Sequence, residues 1–325
     1  MKKIIGIEIG SDSVKLASVS GGKIEKMAFT RLPENIYHDG HVTAPDAFAA
    51  TVRTLMKDNQ LRAGACALVL PQNLVISHHV SVPAMPASEL ELNLPFEFKD
   101  FVGKDADKYV YDYSVARKTD SGLDLYAAAV LKSDIEEYAS LMRKAGLTLK
   151  VAIPKEMAWL NLINSAKNMP KSVCIVDLGH SATNVDIFCD GNFVMGRKID
   201  NGGKQLDEVI AGQLQLDTFA ARIRKEANYE NILASDACTD SYGALAVEVM
   251  RVISFYNYSH SEDNNKVEDV YFCGGGSNIE ALRIAIVKAT TLTAHRIQRL
   301  FGDEGEHEDD KYLRCALAAG AAMQD

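Results

Sequence analysis

The chain carries one strand–turn–strand phrase twice. The first copy is Ile5-Gly6-Ile7-Glu8-Ile9-Gly10-Ser11-Asp12-Ser13-Val14-Lys15. The second is Val173-Cys174-Ile175-Val176-Asp177-Leu178-Gly179-His180-Ser181-Ala182-Thr183. Each is an apolar strand ending in an acid, then one apolar residue, a glycine and a hydroxyl-rich turn. A hairpin dipeptide follows each copy at one offset: Gly21-Gly22 after Gly10, and Asp190-Gly191 after Gly179. Both dipeptides suit a two-residue turn with positive φ. The shared offset points to a duplicated α/β domain with two facing phosphate-binding hairpins, and so to a nucleotide held between two lobes.

Length agrees, because 325 residues exceed the size at which one core stops growing. A hydrophobic content of 47% excludes wholesale disorder. The net charge of −9 argues against nucleic acid as a partner, since neutralising phosphates needs clustered Lys and Arg. No apolar run reaches the ~18 residues of a membrane span. Glu8 and Asp12 interrupt the apolar stretch after Met-Lys-Lys, which reads as a buried first strand rather than a signal peptide. Cysteines 66, 174, 189, 238, 273 and 315 form no C-x-x-C pair and read as buried, reduced thiols.

Periodicity places the remaining elements. Three strands fill 3–30. A helix over 45–59 carries Phe48, Val52, Leu55 and Met56. Strands follow at 65–70 and around His78–Val82, where His79 and Ser81 alternate outward. Ser88–Val102 is helical, with a kink expected at Pro95. Strands at 109–115 and 123–131 lead to a capping box, Ser133 with Glu136, and a helix ending at Gly146. A strand at 147–153 precedes a helix with the sole tryptophan, Trp159. Helices are expected at 217–227, 241–258 and 278–289. Residues 260–269 and the acidic 303–310 read as loops, and 311–323 as a helix of small residues suited to close backbone packing.

Gly10 and Gly179 allow backbone to approach phosphate without a Cβ, and their turns can form anion-binding nests. Ser11, Ser13, Ser181 and Thr183 add hydroxyl donors, Asp12 lies in the same first turn, and Lys15 adds a point charge. Glu8 and Asp177 are candidates for Mg2+, directly or through its waters. Gly202-Gly203 follows the second phrase, and Gly274-Gly275-Gly276-Ser277 ends a strand where adenine and ribose could lie against backbone. The competing reading is a duplicated fold that has lost its ligand.

These motifs resemble the actin, Hsp70 and sugar kinase superfamily. The hairpins are similar to its two phosphate motifs, and 270–276 to its adenosine motif. Within it the chain resembles the type IV pilus assembly PilM family, relatives of the division protein FtsA. The resemblance rests on Ile9–Lys15, Glu89-Leu90 through Phe96–Phe101, Ala145-Gly146-Leu147, Asn201–Leu206 and Phe272–Gly276. It implies two RNase H-like lobes. The first would be 1–170 plus 311–325, with 28–145 as an inserted 1C-type subdomain. The second would be 171–310, with about 200–240 as an inserted 2B part. It also implies ATP or ADP with Mg2+ in the interlobe cleft, with Lys225 as a nucleotide contact. The implied partners are a PilN-like membrane protein, bound through its cytoplasmic N-terminal peptide, and other pilus platform proteins. Location would be cytoplasmic, peripheral at the inner face of the membrane and reached only through the partner.

Four departures from the family pattern stand out: Glu8 replaces the usual Asp, Asp12 stands where the family often has Ser, His180 replaces a small residue, and Arg222 the acid expected three residues before Lys225. They imply weak nucleotide binding, or binding without turnover, and at most a slow ATPase. An FtsA-like filament protein is the alternative, set back by a chain that stops directly after its last helix. A small-molecule kinase of the same fold lacks a distinct catalytic Asp base.

Overall fold

The computed structural model describes residues 3–166, 169–260, 265–301 and 310–323. They divide into two compact units. The first takes the described residues of Met1–Ile9, Ser13–Asn161 and Leu317–Asp325, and the second those of Gly10–Asp12 and Leu162–Ala316.

In the first unit, β1 (Lys3–Ile9), β2 (Ser13–Ser20) and β3 (Lys23–Arg31) form an antiparallel meander. Its second turn has φ of 56° at Gly21 and 73° at Gly22, the left-handed pair the dipeptide allows. A two-residue pair, β4 (Tyr37–His38) with β5 (His41–Val42), leads to α1 (Pro45–Asp58) and β6 (Ala65–Val69), which runs parallel to β1. The chain then builds β7 (Val75–Pro83), α2 (Ala87–Glu97), α3 (Lys99–Val102), β8 (Tyr109–Lys118) and β9 (Gly122–Leu131). It returns through α4 (Lys132–Lys144), β10 (Thr148–Ile153) and α5 (Lys155–Ser165). The five-stranded sheet has the order β10-β6-β1-β2-β3, and a separate sheet the order β7-β9-β8. Strands from residues 28–145 stand in both of these sheets. The three-stranded sheet comes wholly from the stretch between β6 and α4, and β4 and β5 pair apart from both.

The second unit repeats the five-stranded plan. Its elements are β11 (Ser172–Leu178), β12 (Thr183–Cys189), β13 (Asn192–Ile199), α6 (Gly203–Leu214), α7 (Thr218–Glu226), α8 (Asp236–Ser259), β14 (Asp269–Cys273), α9 (Glu280–Thr290) and β15 (Thr293–Arg296). It also holds the start of α10 (Asp310–Ala322), whose residues from Leu317 on belong to the first unit. The order β13-β12-β11-β14-β15 reproduces β3-β2-β1-β6-β10 strand for strand. Asp190-Gly191 turns the second meander with φ of 51° and 71°. All six cysteines are buried free thiols.

Tertiary context overrides three local expectations. The helix runs through Pro95 and breaks at Phe98, whose backbone leaves helical geometry at φ −95° and ψ 0°. Phe98 is fully buried, its ring 4.7 Å from His78 and 5.5 Å from Tyr111. Ser133 caps nothing: β9 passes into α4 without a turn, Leu131 is the N-cap, and no side chain satisfies the first donors. The α8 helix starts five residues before the expected 241, at Asp236, because the Ser235 hydroxyl accepts from the Cys238 N–H. The end of α4 is as expected. Gly146, at φ 83°, donates to the Arg143 carbonyl and Leu147 to that of Met142, the paired bonds of a Schellman motif. The expected loop 303–310 falls mostly, and 260–269 partly, outside the described residues.

The small-residue helix packs as its composition predicts. A Cβ on Gly6 would lie 1.7 Å from the Ala318 carbonyl oxygen, and one on Gly320 2.0 Å from that of Ala158. The Asn161 amide donates to the Gly320 carbonyl at 3.0 Å.

Candidate functional site

Most of the sequence-predicted residues belong to the second unit: Gly10, Ser11, Asp12, Asp177, Gly179, Ser181, Thr183, Gly202, Gly203, Lys225, Gly274, Gly275, Gly276 and Ser277. Glu8, Ser13 and Lys15 belong to the first. There Glu8 and Lys15 face each other across the β1–β2 ladder, and the Lys15 ammonium meets the Glu8 carboxylate at 2.5 Å. Acid and cation of the first hairpin thus neutralise each other.

In the second unit the hairpin after Asp177 is knitted to the start of α6. Gly179 N–H donates to the Ala182 carbonyl, Gly203 N–H to the Gly179 carbonyl and Lys204 N–H to the His180 carbonyl, at 3.1, 3.0 and 2.8 Å. Two donors of the α6 N-terminus are therefore satisfied by the turn itself, which limits the end of that helix as an anion site. The Thr183 hydroxyl donates to the Asn201 carbonyl at 2.9 Å and the Ser277 hydroxyl to that of Gly274 at 2.6 Å. Ser11 and Ser181 remain exposed at the turn tips.

The glycines answer to internal packing. A Cβ on Gly202 would lie 2.7 Å from the His180 carbonyl oxygen and 2.8 Å from that of Gly179. Gly274 has φ 79°, and a Cβ there would lie 2.4 Å from an Asp177 carboxylate oxygen. Each glycine keeps two turns in contact, whatever else it admits. Beside them a crevice is lined by Leu206, Leu245, Ile279, Leu282, Gly203 and Gly276.

Charge gathers on α7. Arg222 and Lys225, three apart, share a helix face. Arg222 Nη2 lies 2.5 Å from Asp12 Oδ2, and its Nε 3.4 Å from Glu226. Lys225 lies 2.6 Å from Asp207 and donates to the Gly203 carbonyl at 2.9 Å. Burial pushes the Lys225 ammonium down from its ordinary range, an effect the Asp207 hydrogen bond opposes. Burial likewise lowers His180, with the charges of Asp12 and Asp207 pulling it up and those of Arg222 and Lys225 pulling it down. Asp207 escaped the sequence reading. Its signal was an acid on the buried Leu206–Ile210 face of an amphipathic helix, where a carboxylate needs a partner.

The donor set fits a phosphate chain, with hydroxyl-tipped turns and two cations on one face. It also holds its own counter-ions, since Arg222 and Lys225 each meet a carboxylate. Among the described residues no three His, Cys, Asp or Glu side chains converge as a metal cage, so a cation here would need further ligands from elsewhere.

The family model for type IV pilus assembly protein PilM matches residues 6–309. The chain belongs to the PilM family. A solved PilM-PilN type IV pilus biogenesis complex is 23% identical, covers 99% of this chain and 98% of its own, and superposes with a TM-score of 0.83. Ethanolamine utilization protein EutJ from Carboxydothermus hydrogenoformans is 14% identical over 99% of this chain and 90% of its own, at a TM-score of 0.64. MreB5 of Spiroplasma citri bound to ADP is 12% identical over 98% and 95%, at 0.55. The likenesses establish the actin-like ATPase fold, and the family makes this chain a PilM-type pilus assembly protein. Among the described residues, no helix is long and apolar enough to cross a membrane.

Proposed function

We propose that this PilM-family protein is a nucleotide-binding scaffold of the cytoplasmic platform of a type IV pilus or related secretion or competence machine. The strand-for-strand duplication of a Gly-turned hairpin in two sheets carries the reading, because it presents two phosphate-type turns in one chain. Solved MreB5 with ADP and with AMPPNP shares the fold, which supports ATP or ADP as the ligand. The nucleotide-contacting residues are Gly10, Ser11, Ser13 and Lys15 of the first hairpin, with Asp12 in the same turn, Gly179, Ser181 and Thr183 of the second, Gly202, Gly203, Lys225 and Gly274–Ser277. Glu8 and Asp177 are the acids for Mg2+, directly or through water; the ion, when bound, screens the phosphate charge.

The lobes are 1–170 with 311–325, and 171–310, with 28–145 and about 200–240 as inserted parts. The partner is the cytoplasmic N-terminal peptide of a PilN-like membrane protein, taken up along 28–145. There Leu92, Phe96 and Phe101 are 73%, 71% and 55% exposed, apolar side chains that an extended peptide could cover. Recruitment by that partner would hold the chain at the inner face of the cytoplasmic membrane.

Two arms test the reading. Mg-ATP at 100 times its dissociation constant should stabilise the protein by about 2.7 kcal/mol. Asp177→Asn should weaken Mg-ATP far more than ATP with EDTA. Phe96→Asp with Leu92→Asp should abolish capture of the PilN-type peptide while nucleotide binding stays. An unmoved melting midpoint in nucleotide refutes the cofactor, and peptide capture by the double variant refutes the docking surface.

A further inference from the structure

The two cations of α7 have different settings. Lys225 is held from below: Asp207 comes from the buried face of α6, its side chain 4% exposed, and the Gly203 carbonyl takes a second bond. That arrangement is a strut between α6 and α7. Arg222 is held from outside the helix pair by Asp12. This residue lies in the turn between β1 and β2, directly after Gly10 and the exposed Ser11. Both side chains of that pair keep some solvent access, 19% and 17%.

We propose that Arg222 is a phosphate-binding guanidinium and that Asp12 is its resting counter-ion, displaced when a nucleoside di- or triphosphate binds. The inference rests on the nucleotide reading above and names the group that meets the phosphate. A guanidinium presents the same fork of N–H donors to a carboxylate and to a phosphate, so an oxygen within 2.5 Å of Nη2 marks where a phosphate oxygen can stand. Glu226, at 3.4 Å from Nε, orients the fork from one turn further along α7 and need not move. The exchange keeps the guanidinium paired throughout. The turn that supplies Asp12 is one of the two hydroxyl-tipped turns, and displacement turns that side chain away from Arg222. Asp12 therefore lowers nucleotide affinity, and it does so through Arg222.

The experiment measures binding of a fluorescent ADP, with and without Mg2+, to the full chain and to Asp12→Asn, Arg222→Gln and the double variant. Far-UV circular dichroism and melting check that each is folded, and Arg222→Lys supplies a milder loss. Asp12→Asn should tighten binding about tenfold or more, the scale of one charge-assisted hydrogen bond. Arg222→Gln should weaken it by a similar factor, with Arg222→Lys between. The double variant should bind like Arg222→Gln alone, a coupling that a merely structural pair would not produce. The inference is overturned if the natural protein binds but Asp12→Asn binds no better, or if the double variant keeps the gain. Loss of binding in every protein would instead remove the nucleotide reading, and this inference with it.

Discussion

The seat of the small-residue helix gives a sharp prediction. Gly320→Ala places a Cβ 2.0 Å from the Ala158 carbonyl oxygen, where real Cβ contacts do not fall below 3.0 Å. The backbones of α10 and α5 must then separate by at least the difference, about 1 Å, because neither contact atom is a flexible side-chain end. Overpacking against backbone falls at the upper end of the usual range, about 3 kcal/mol. Gly243→Ala is the control. It lies inside α8, exposed, with nothing within 4 Å of the added Cβ, so the same substitution should stabilise by about 0.5–1 kcal/mol through helix propensity. Trp159, 1% exposed and one residue beyond Ala158, reports the first case by fluorescence in urea. With m of about 1–3 kcal/mol per molar, Gly320→Ala should lower the midpoint by about 1–3 M. Circular dichroism of Gly243→Ala should show no loss. An unshifted midpoint and unshifted Trp159 emission in Gly320→Ala would refute the close approach and the reasoning from it.

The N-caps give a second contrast: Ser235→Ala and Asp217→Ala should each cost about 0.5–2 kcal/mol, since their side chains accept from Cys238 and Ala220, while Ser133→Ala should fall within about 0.5 kcal/mol in urea melts. Acid should weaken the fold through two histidines. Burial lowers both His78 and His180, so below about pH 6.5 the unfolded chain takes up protons first. Their contribution is intact above that pH and lost as pH falls through the lowered values. His180→Gln should flatten the fall of the urea midpoint between pH 7.5 and 5.5, and an unchanged slope would contradict the assignment.

Much of this protein was legible residue by residue. Glycine at 22 and 191 fixes hairpin turns through φ alone, so the duplicated meander could be read from local chemistry. The apolar spacing of α1 and the small residues of α10 carry their packing in their own side-chain sizes. What the tertiary structure decided is everything whose partner lies far along the chain. Ser133 looked like a cap, but β9 runs on to Leu131 and leaves no turn for it. The helix that holds Pro95 ends at Phe98, a ring buried against strands from elsewhere in the unit. The glycines at 202 and 274 looked made for a ligand, yet first of all they let one turn lie against another. Arg222 and Asp12 lie far apart along the chain, and no pattern within either segment announces the other. Ion pairs form where folding brings charges within reach. Sequence specifies the charges, and only the packed chain specifies which of them meet.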